Sequence, residues 1–355
     1  MKDTYASPDA RERPRTETRI APSTEPLRHM EHTREKYKKL IAYAATLPAT
    51  PVAVAHPCDR DSLEAVVEAA RLKLIAPILV GPAAKIRLVA AQESIDLGDL
   101  PIVDAPHSHA SAATAVRLVH EGKAEAVMKG SLHTDELMGE VVARDTGLRT
   151  ERRVSHCFIM DVPGHAEPLI ITDAAINISP TLDDKRDIVQ NAIDLAHALS
   201  FAHVRVAILS AMETVNAKVP STVDAAALCK MADRGQITGG VLDGPLALDN
   251  AINEEAARIK HIVSDVAGRA NVLVVPDLEA GNVLAKSLSF LAGADAAGIV
   301  LGTRVPVILT SRADSVIARL ASCAVAALVA LARRTPAADA VKRAAPEAVA
   351  QPAPI

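Results

Sequence analysis

Residues 52–81 read "VAVAHPCDRDSLEAVVEAARLKLIAPILVG". Two short β-branched runs, "VAVAH" (52–56) and "PILVG" (77–81), bracket "DSLEAVVEAARLK" (61–73), where apolar positions recur at spacings of three and four. A near-continuous apolar run suits a strand covered on both faces, and the middle segment has the period of an amphipathic helix. The stretch therefore predicts a βαβ unit with parallel strands.

The alternation continues along the chain. "EAVMKG" (125–130), "VRVAILS" (204–210), "NVLVVPD" (271–277) and "VPVILTS" (305–311) read as further strands, and "DDKRDIVQNAIDLAHAL" (183–199) as a helix. One segment breaks the pattern. "HCFIMDVPGHAEPLIITD" (156–173) holds two apolar runs around a Pro-Gly turn, which predicts an antiparallel hairpin and a domain boundary near residue 150. No internal repeat is visible.

Composition narrows the function classes. The chain has 355 residues, 49% hydrophobic and 23% charged, enough for two ordinary domains and a large core. A net charge of -4 argues against nucleic acid or an anionic membrane as the main partner, and 2% aromatics argues against base stacking. Cys58, Cys157, Cys229 and Cys323 stand far apart with no metal-ligand spacing, as expected of reduced thiols in a cytoplasmic protein. The apolar run Leu320 to Ala332 is shorter than the roughly 20 residues of a membrane span and predicts a buried helix. Residues 1–30 carry five Arg and three Glu with few apolar residues, so a disordered tail is expected there and another over 336–355.

In open parallel sheets ligands lie outside the carboxyl ends of the strands. The polar residues following the predicted strands are Lys129 with His133 and Thr134, Asp173 with Asn177, Ser210 with Glu213, Asp243, Asp277 with Asn282, and Ser311 with Arg312. In "MKGSLHTDE" (128–136), Thr134, Asp135 and Glu136 suit a helix cap, and Lys129 with the same helix start suits an anion cradle. "TDAAINISP" (172–180) and "VVPDLEAGN" (274–282) read equally as structural turns or as ligand loops. "ILTSRADS" (308–315) is harder to explain structurally, because an unpaired buried Arg costs several kcal/mol. A strand end facing a cleft removes that cost, and an Arg fork there fits phosphate or carboxylate.

The segments "VMKGSLHTDEL", "LIITDAAINISP", "VVPDLEAGN" and "ADAAGIVLGTRVPVILTSRADS", in this order, resemble the phosphate acetyltransferase and phosphate butyryltransferase family over roughly residues 35–330. Met138 stands where acetyl-specific members have a further Arg, a feature shared with the butyryl branch. The resemblance implies two α/β domains with a cleft between them, similar to isocitrate and isopropylmalate dehydrogenases. Residues 31–150 plus 300–335 would form the first domain, and 151–299 the second, through which family members dimerise. It implies transfer of a short acyl group, acetyl or butyryl, between coenzyme A and inorganic phosphate. No cofactor is expected beyond coenzyme A and its thioester as substrates. Ser311, Arg312 and Asp314 would be catalytic. Lys129, His133, Thr134, Asp173, Asn177, Asp277 and Asn282 would bind substrate. Two other readings stand beside it, an NAD-dependent oxidoreductase of the related fold and a non-catalytic acyl-CoA-binding protein. The first lacks a Gly-rich fingerprint here, and the second leaves Lys129, Ser311 and Arg312 unexplained.

Overall fold

The computed structural model describes residues 34–310 and 314–334. The expected tails, Ser311 and Arg312 lie outside the described residues.

In chain order the first elements are α1 (Glu35–Ala44), β1 (Thr50–Ala55), α2 (Arg60–Arg71), β2 (Ile75–Gly81), α3 (Ala83–Gln92), β3 (Ile102–Asp104), α4 (Ser108–His120), β4 (Ala126–Lys129) and α5 (Thr134–Val141). The hairpin β5 (Ser155–Asp161) and β6 (Leu169–Thr172) follows, then α6 (Leu182–Ala198), β7 (Arg205–Leu209), α7 (Pro220–Asp233) and β8 (Val241–Leu246). The chain continues through α8 (Leu248–Ile252), α9 (Glu254–Ile259), β9 (Val272–Val274), α10 (Leu278–Leu291), β10 (Asp295–Leu301), β11 (Val307–Ile308) and α11 (Val316–Arg334). The opening βαβ unit forms as expected, with β1 beside β2 in parallel. Asp59 starts α2 by accepting a hydrogen bond from the Ser62 amide at 2.9 Å.

All these strands form one sheet in the order β3-β2-β1-β4-β11-β10-β5-β6-β9-β7-β8. Strands β1, β2, β3, β4 and β11 run one way. β10 is antiparallel to both β11 and β5, and β6 is antiparallel to β5. β9, β7 and β8 then follow β6 in parallel. The carboxyl ends of the two parallel groups therefore face opposite ways. The sheet is mostly parallel, and its direction changes across three antiparallel junctions, β11–β10, β10–β5 and the hairpin β5–β6.

Side chains alternate between the faces, as strand geometry requires. Val52, Val54, Cys157, Ile170, Ile299 and Ile308 enter one large cluster with α1, α2, α3, α6, α7 and α11. The opposite face carries two separate clusters. Ala53, Ala55, Val127, Val300 and Val307 pack under α4 and α5. Met160, Leu169, Ile171, Ala207 and Leu273 pack with residues of α8, α9 and α10.

By length and composition α11 alone among the described residues could cross a membrane, with a mean hydropathy of 1.9, yet 72% of that window is buried inside the protein. It is the expected buried helix, packed on α1, α2, α6 and β10. The apolar run at 305–311 yields only two paired residues in β11. Three strands were not expected. β3 is very short, β8 contains Asp243-Gly244-Pro245 on the sheet edge, and β10 starts with small residues around Gly298.

Candidate active site

A cleft of about 520 Å³ opens beyond the carboxyl ends of β1, β2 and β4, lined by His56, Cys58, Asp59, Lys85, Ser108, Ser131, Leu132, His133 and Glu136. A larger groove of about 600 Å³ between α1, the end of α2 and the start of α11 is mostly apolar, with Ile41, Leu72, Ile317 and Leu320 beside Arg34 and Lys38. The first has the donors that anion chemistry needs; the second does not lie at the strand ends.

The chain makes this cleft by bringing β1 and β4 together. His56 adopts the left-handed conformation at φ 56°, uncommon for a residue with a side chain. Its carbonyl accepts from the Ser131 amide at 2.9 Å and the Ser131 hydroxyl at 2.8 Å. Its ring Nδ1 stands 3.1 Å from Ser111 Oγ. Lys129 closes β4, is buried, and donates from Nζ to the carbonyls of Gly130 and Leu132 at 3.2 Å each. His133 is the N-cap of α5, with Thr134 in the first helical position, and both are exposed. Of these three, His133 lines the cleft, while Lys129 lies behind the loop of Ser131 and Leu132 and Thr134 sits in the first turn of α5.

Glu136 ties three segments together. It accepts from Ser108 Oγ at 2.8 Å and from the His133 amide at 2.9 Å, and His109 Nδ1 stands 3.0 Å away. The Ser108 hydroxyl, then the His133 amide, hold its carboxyl below the usual carboxylate range. Burial, then nearby Lys85, lowers His56, which favours its neutral form. Burial pushes the Cys58 thiol up to about 11, so it is protonated at neutral pH and no thiolate nucleophile. The cleft offers Lys85, two imidazoles, hydroxyls and the start of α5 to an anion. His56, Lys85 and Ser108 were not singled out from sequence, though His56 ends the quoted run "VAVAH"; Ser131 lies in the quoted stretch 128–136, and Glu136 takes the helix-cap role read for it there.

The second group of sequence candidates lies elsewhere. β6 and β9 are parallel neighbours, so the loops after them meet. The peptide Thr172–Asp173 is cis. Asp173 is buried and accepts from the amides of Ala175, Ile176 and Asn177 at 3.0, 3.1 and 3.1 Å, and from Asn177 Nδ2 at 2.5 Å. Burial pushes its carboxyl up, against the pull of those donors. Asn177 also donates to the Val154 carbonyl at 2.9 Å and accepts from Arg153 Nε at 2.6 Å. Asp277 caps α10 through the Ala280 amide at 2.9 Å, and Asn282 is half-buried in that helix. A β-carbon on Gly281 would come within 2.9 Å of Ala174, so only glycine lets α10 sit this close to the Asp173 loop. Lys129 and Asp173 are separated by four strand spacings, roughly 19 Å, and follow strands of opposite direction. The structure brings each motif pair together, but not the two pairs to one point.

The remaining candidates are placed as follows. Asp314 precedes α11 and adds to the negative field of Asp161 and Asp295 at buried Tyr37. Its neighbour Ser315 donates to Asp295 Oδ1 at 2.7 Å. Ser210 hydrogen-bonds Ser221 at 2.8 Å, Glu213 accepts from Lys260 at 2.8 Å, and Asp243 accepts from the Gly244 amide at 2.8 Å. Among the described residues no group of three or more His, Cys, Asp or Glu could hold a metal ion.

Residues 108–327 match the family described as phosphate acetyl/butaryl transferase. A phosphate acetyltransferase of Rhizobium meliloti is 68% identical over 277 residues, 78% of this chain and 87% of its own length. A phosphate butyryltransferase of Clostridium beijerinckii is 42% identical, covering 78% of this chain and 92% of its own. Among solved structures, a branched-chain phosphotransacylase from Enterococcus faecalis V583 superposes with a TM-score of 0.69 at 31% identity, over 79% of this chain and 99% of that one. A 4-hydroxythreonine-4-phosphate dehydrogenase from Klebsiella pneumoniae shares the fold alone, at a TM-score of 0.50 and 12% identity over 79% of this chain and all of that one. The oxidoreductase and non-catalytic readings find no support in these matches, and the chain belongs to the phosphate acetyl/butyryl transferase family.

Proposed function

We propose that this protein is an acyltransferase that moves a short acyl group between coenzyme A and inorganic phosphate, giving acyl phosphate and free coenzyme A. The observation that carries the reading is the high identity to named family members across more than two thirds of the chain. The higher identity to the chain named an acetyltransferase favours acetyl, and the butyryl-like Met138 keeps butyryl as the substrate to test beside it.

The cleft geometry supports His133 as a substrate-binding group, joined by His56, Lys85 and Ser131, and the resemblance adds Lys129 and Thr134 on either side of it in the same motif. Ser311 and Arg312 follow β11, which pairs in parallel with β4, the strand that Lys129 closes. In the family resemblance this pair acts on the reacting centre, with Asp314 close behind. Phosphate is already ionised at neutral pH and attacks the thioester carbonyl, and the oxyanion formed needs preorganised donors. The thiolate then leaves with the bonding electrons and takes up a proton. These steps require neither a metal nor a covalent enzyme intermediate.

Three further readings belong to this proposal. Two domains, 31–150 with 300–335 and 151–299, would meet over the sheet face whose clusters are separate, and the cleft of His56, Lys85 and His133 belongs to the first of them. A homodimer would form through α10, where Val283, Phe290 and Leu291 stand exposed. Four free cysteines suit a cytoplasmic protein. The test of the activity is direct. Acetyl-CoA or butyryl-CoA is incubated with and without phosphate, and with a chelator, while free thiol is followed. Release that ignores phosphate, or that stops with the chelator, sinks the proposal.

A further inference from the structure

His56 follows the last residue of β1, and the chain leaves the strand there at φ 56°. Residues with side chains seldom hold that conformation, and such outliers cluster at functional sites. The Ser131 amide and hydroxyl, both donating to the His56 carbonyl, keep it in place. The imidazole therefore lines the cleft instead of entering either core cluster of this half of the sheet. The end of β4 separates His56 from the end of β11, which leads to Ser311 and Arg312, so about 10 Å divides the two. A substrate as long as coenzyme A reaches across that distance.

The ring's proton can be assigned from its neighbour. Ser111 Oγ stands 3.1 Å from Nδ1 and donates its single proton to the His107 carbonyl at 2.8 Å. Toward His56 it can only accept, which puts the ring proton on Nδ1 and a lone pair on Nε2. A base held through one nitrogen, with the other free for substrate, is the arrangement that proton abstraction needs. Burial lowers the ring below its ordinary value, and Lys85 on α3 adds to this. Glu136 on α5 and Asp59 ahead of α2 raise it, and His107 ahead of α4 lowers it. His133 and the protonated Cys58 are the other titratable groups on the wall. The balance leaves the imidazole neutral at pH 7, with the lone pair available.

We propose that His56 is the general base of acyl transfer, its Nε2 taking the thiol proton of coenzyme A as the sulfur attacks an acyl phosphate. This rests on the acyl-transfer reading above. The C–S bond forms, and the C–O bond to phosphate then breaks with its electron pair going to the phosphate oxygen. That oxygen takes the proton from Nε2, which restores the neutral ring. In the opposite direction dihydrogen phosphate gives its proton to Nε2 while attacking the thioester. The departing thiolate then takes it up.

The experiment compares the full-length wild-type chain with His56→Gly and His56→Asn, following thioester formation from coenzyme A and acetyl phosphate across pH, together with thermal unfolding. Gly and Asn both tolerate the left-handed conformation, so both variants should fold and melt close to wild type. Each should lose about 100-fold or more in kcat. Wild-type kcat/KM should level off above the lowered His56 value and fall as pH drops through it. In both variants the rate should instead climb toward the ionisation of the free thiol, near pH 8.5. Either variant with kcat within about threefold of wild type overturns the proposal. So does a pH profile that the variants share with wild type, or a loss confined to KM, because the ring then only binds. Failure of both variants to fold also overturns it, since the ring is then structural. A wild-type chain that makes no thioester overturns the acyl-transfer reading itself, and that arm tells the two failures apart.

Discussion

The carbonyl oxygen of Ala55 lies 2.5 Å from where a β-carbon on Gly130 would stand, and the Gly130 amide donates to that oxygen at 2.9 Å. The His56 carbonyl is 2.6 Å from the same position. Both obstacles are backbone atoms at the end of β1, so neither can swing away. Gly130→Ala must push β1 and β4 apart where the cleft begins. We expect a loss of about 1–3 kcal/mol in denaturant unfolding and a larger loss of turnover than the folded fraction explains. Unchanged stability and turnover would mean that the two strand ends yield easily.

Asp173→Asn tests the second motif. The new amide would set N–H groups against the Asn177 amide or side chain, which donate to Asp173 Oδ2 at 3.1 and 2.5 Å. The expected cost is about 1–3 kcal/mol of stability. Because burial raises the native carboxyl above its ordinary value, the native state holds this proton more tightly than the unfolded chain. Asp173 therefore favours folding below the ordinary aspartate range, and that contribution is lost as pH rises through the raised native value. The deficit of Asp173→Asn relative to wild type should depend on pH across that window. A normal melting temperature with a selective rise in KM would return Asp173 to the substrate.

Burial holds all four thiols high, Cys58 at about 11 and Cys157, Cys229 and Cys323 at about 12. A thiol-specific reagent at pH 8 should react slowly with the native protein and count four thiols promptly after unfolding in denaturant. Fast reaction of Cys58 in the native state would mean that the cleft exposes it as a thiolate.

On α10, Phe290 and Leu291 are 78% and 86% exposed. If this face joins two copies, replacing both residues with Glu should give the monomer mass in light scattering while leaving the circular dichroism spectrum unchanged. A double variant that stays dimeric places the interface elsewhere.

The strands that sequence reveals are those whose apolar runs are unbroken, such as β1, β2 and β7, because burial on both faces demands such residues. β8 hides behind Asp243, Gly244 and Pro245, tolerated because it lies at the sheet edge. The hairpin itself is legible. Its consequence, that β6 to β9 point their loops away from the Lys129 cleft, depends on β10 entering the sheet between β11 and β5 from far along the chain. The cleft is legible through His133, whose motif also carries Lys129 behind the loop. His56 and Lys85 belong to other strand ends, and only the pairing of β4 with β1 and of β1 with β2 brings them into the same cleft.

Lys129 joins structure to chemistry. Its ammonium group donates to the Gly130 and Leu132 carbonyls, and so shapes the loop that presents Ser131 and His133. Lys129→Met keeps much of the buried stem but leaves both carbonyls without this donor. The stability cost should be about 1–2 kcal/mol, measured by urea unfolding. A charge-assisted contact to bound phosphate or coenzyme A adds a separate loss of about 2 kcal/mol, near 30-fold in kcat/KM. The two losses differ in kind. The first moves the unfolding midpoint, and the second persists at low temperature and low urea, where the variant is fully folded. Lys129→Arg should restore little of either, because a larger planar fork must enter a site that encloses a compact ammonium group. A fully folded Lys129→Met protein with wild-type kcat/KM would confine Lys129 to shaping the loop and leave the anion to Lys85 and the start of α5.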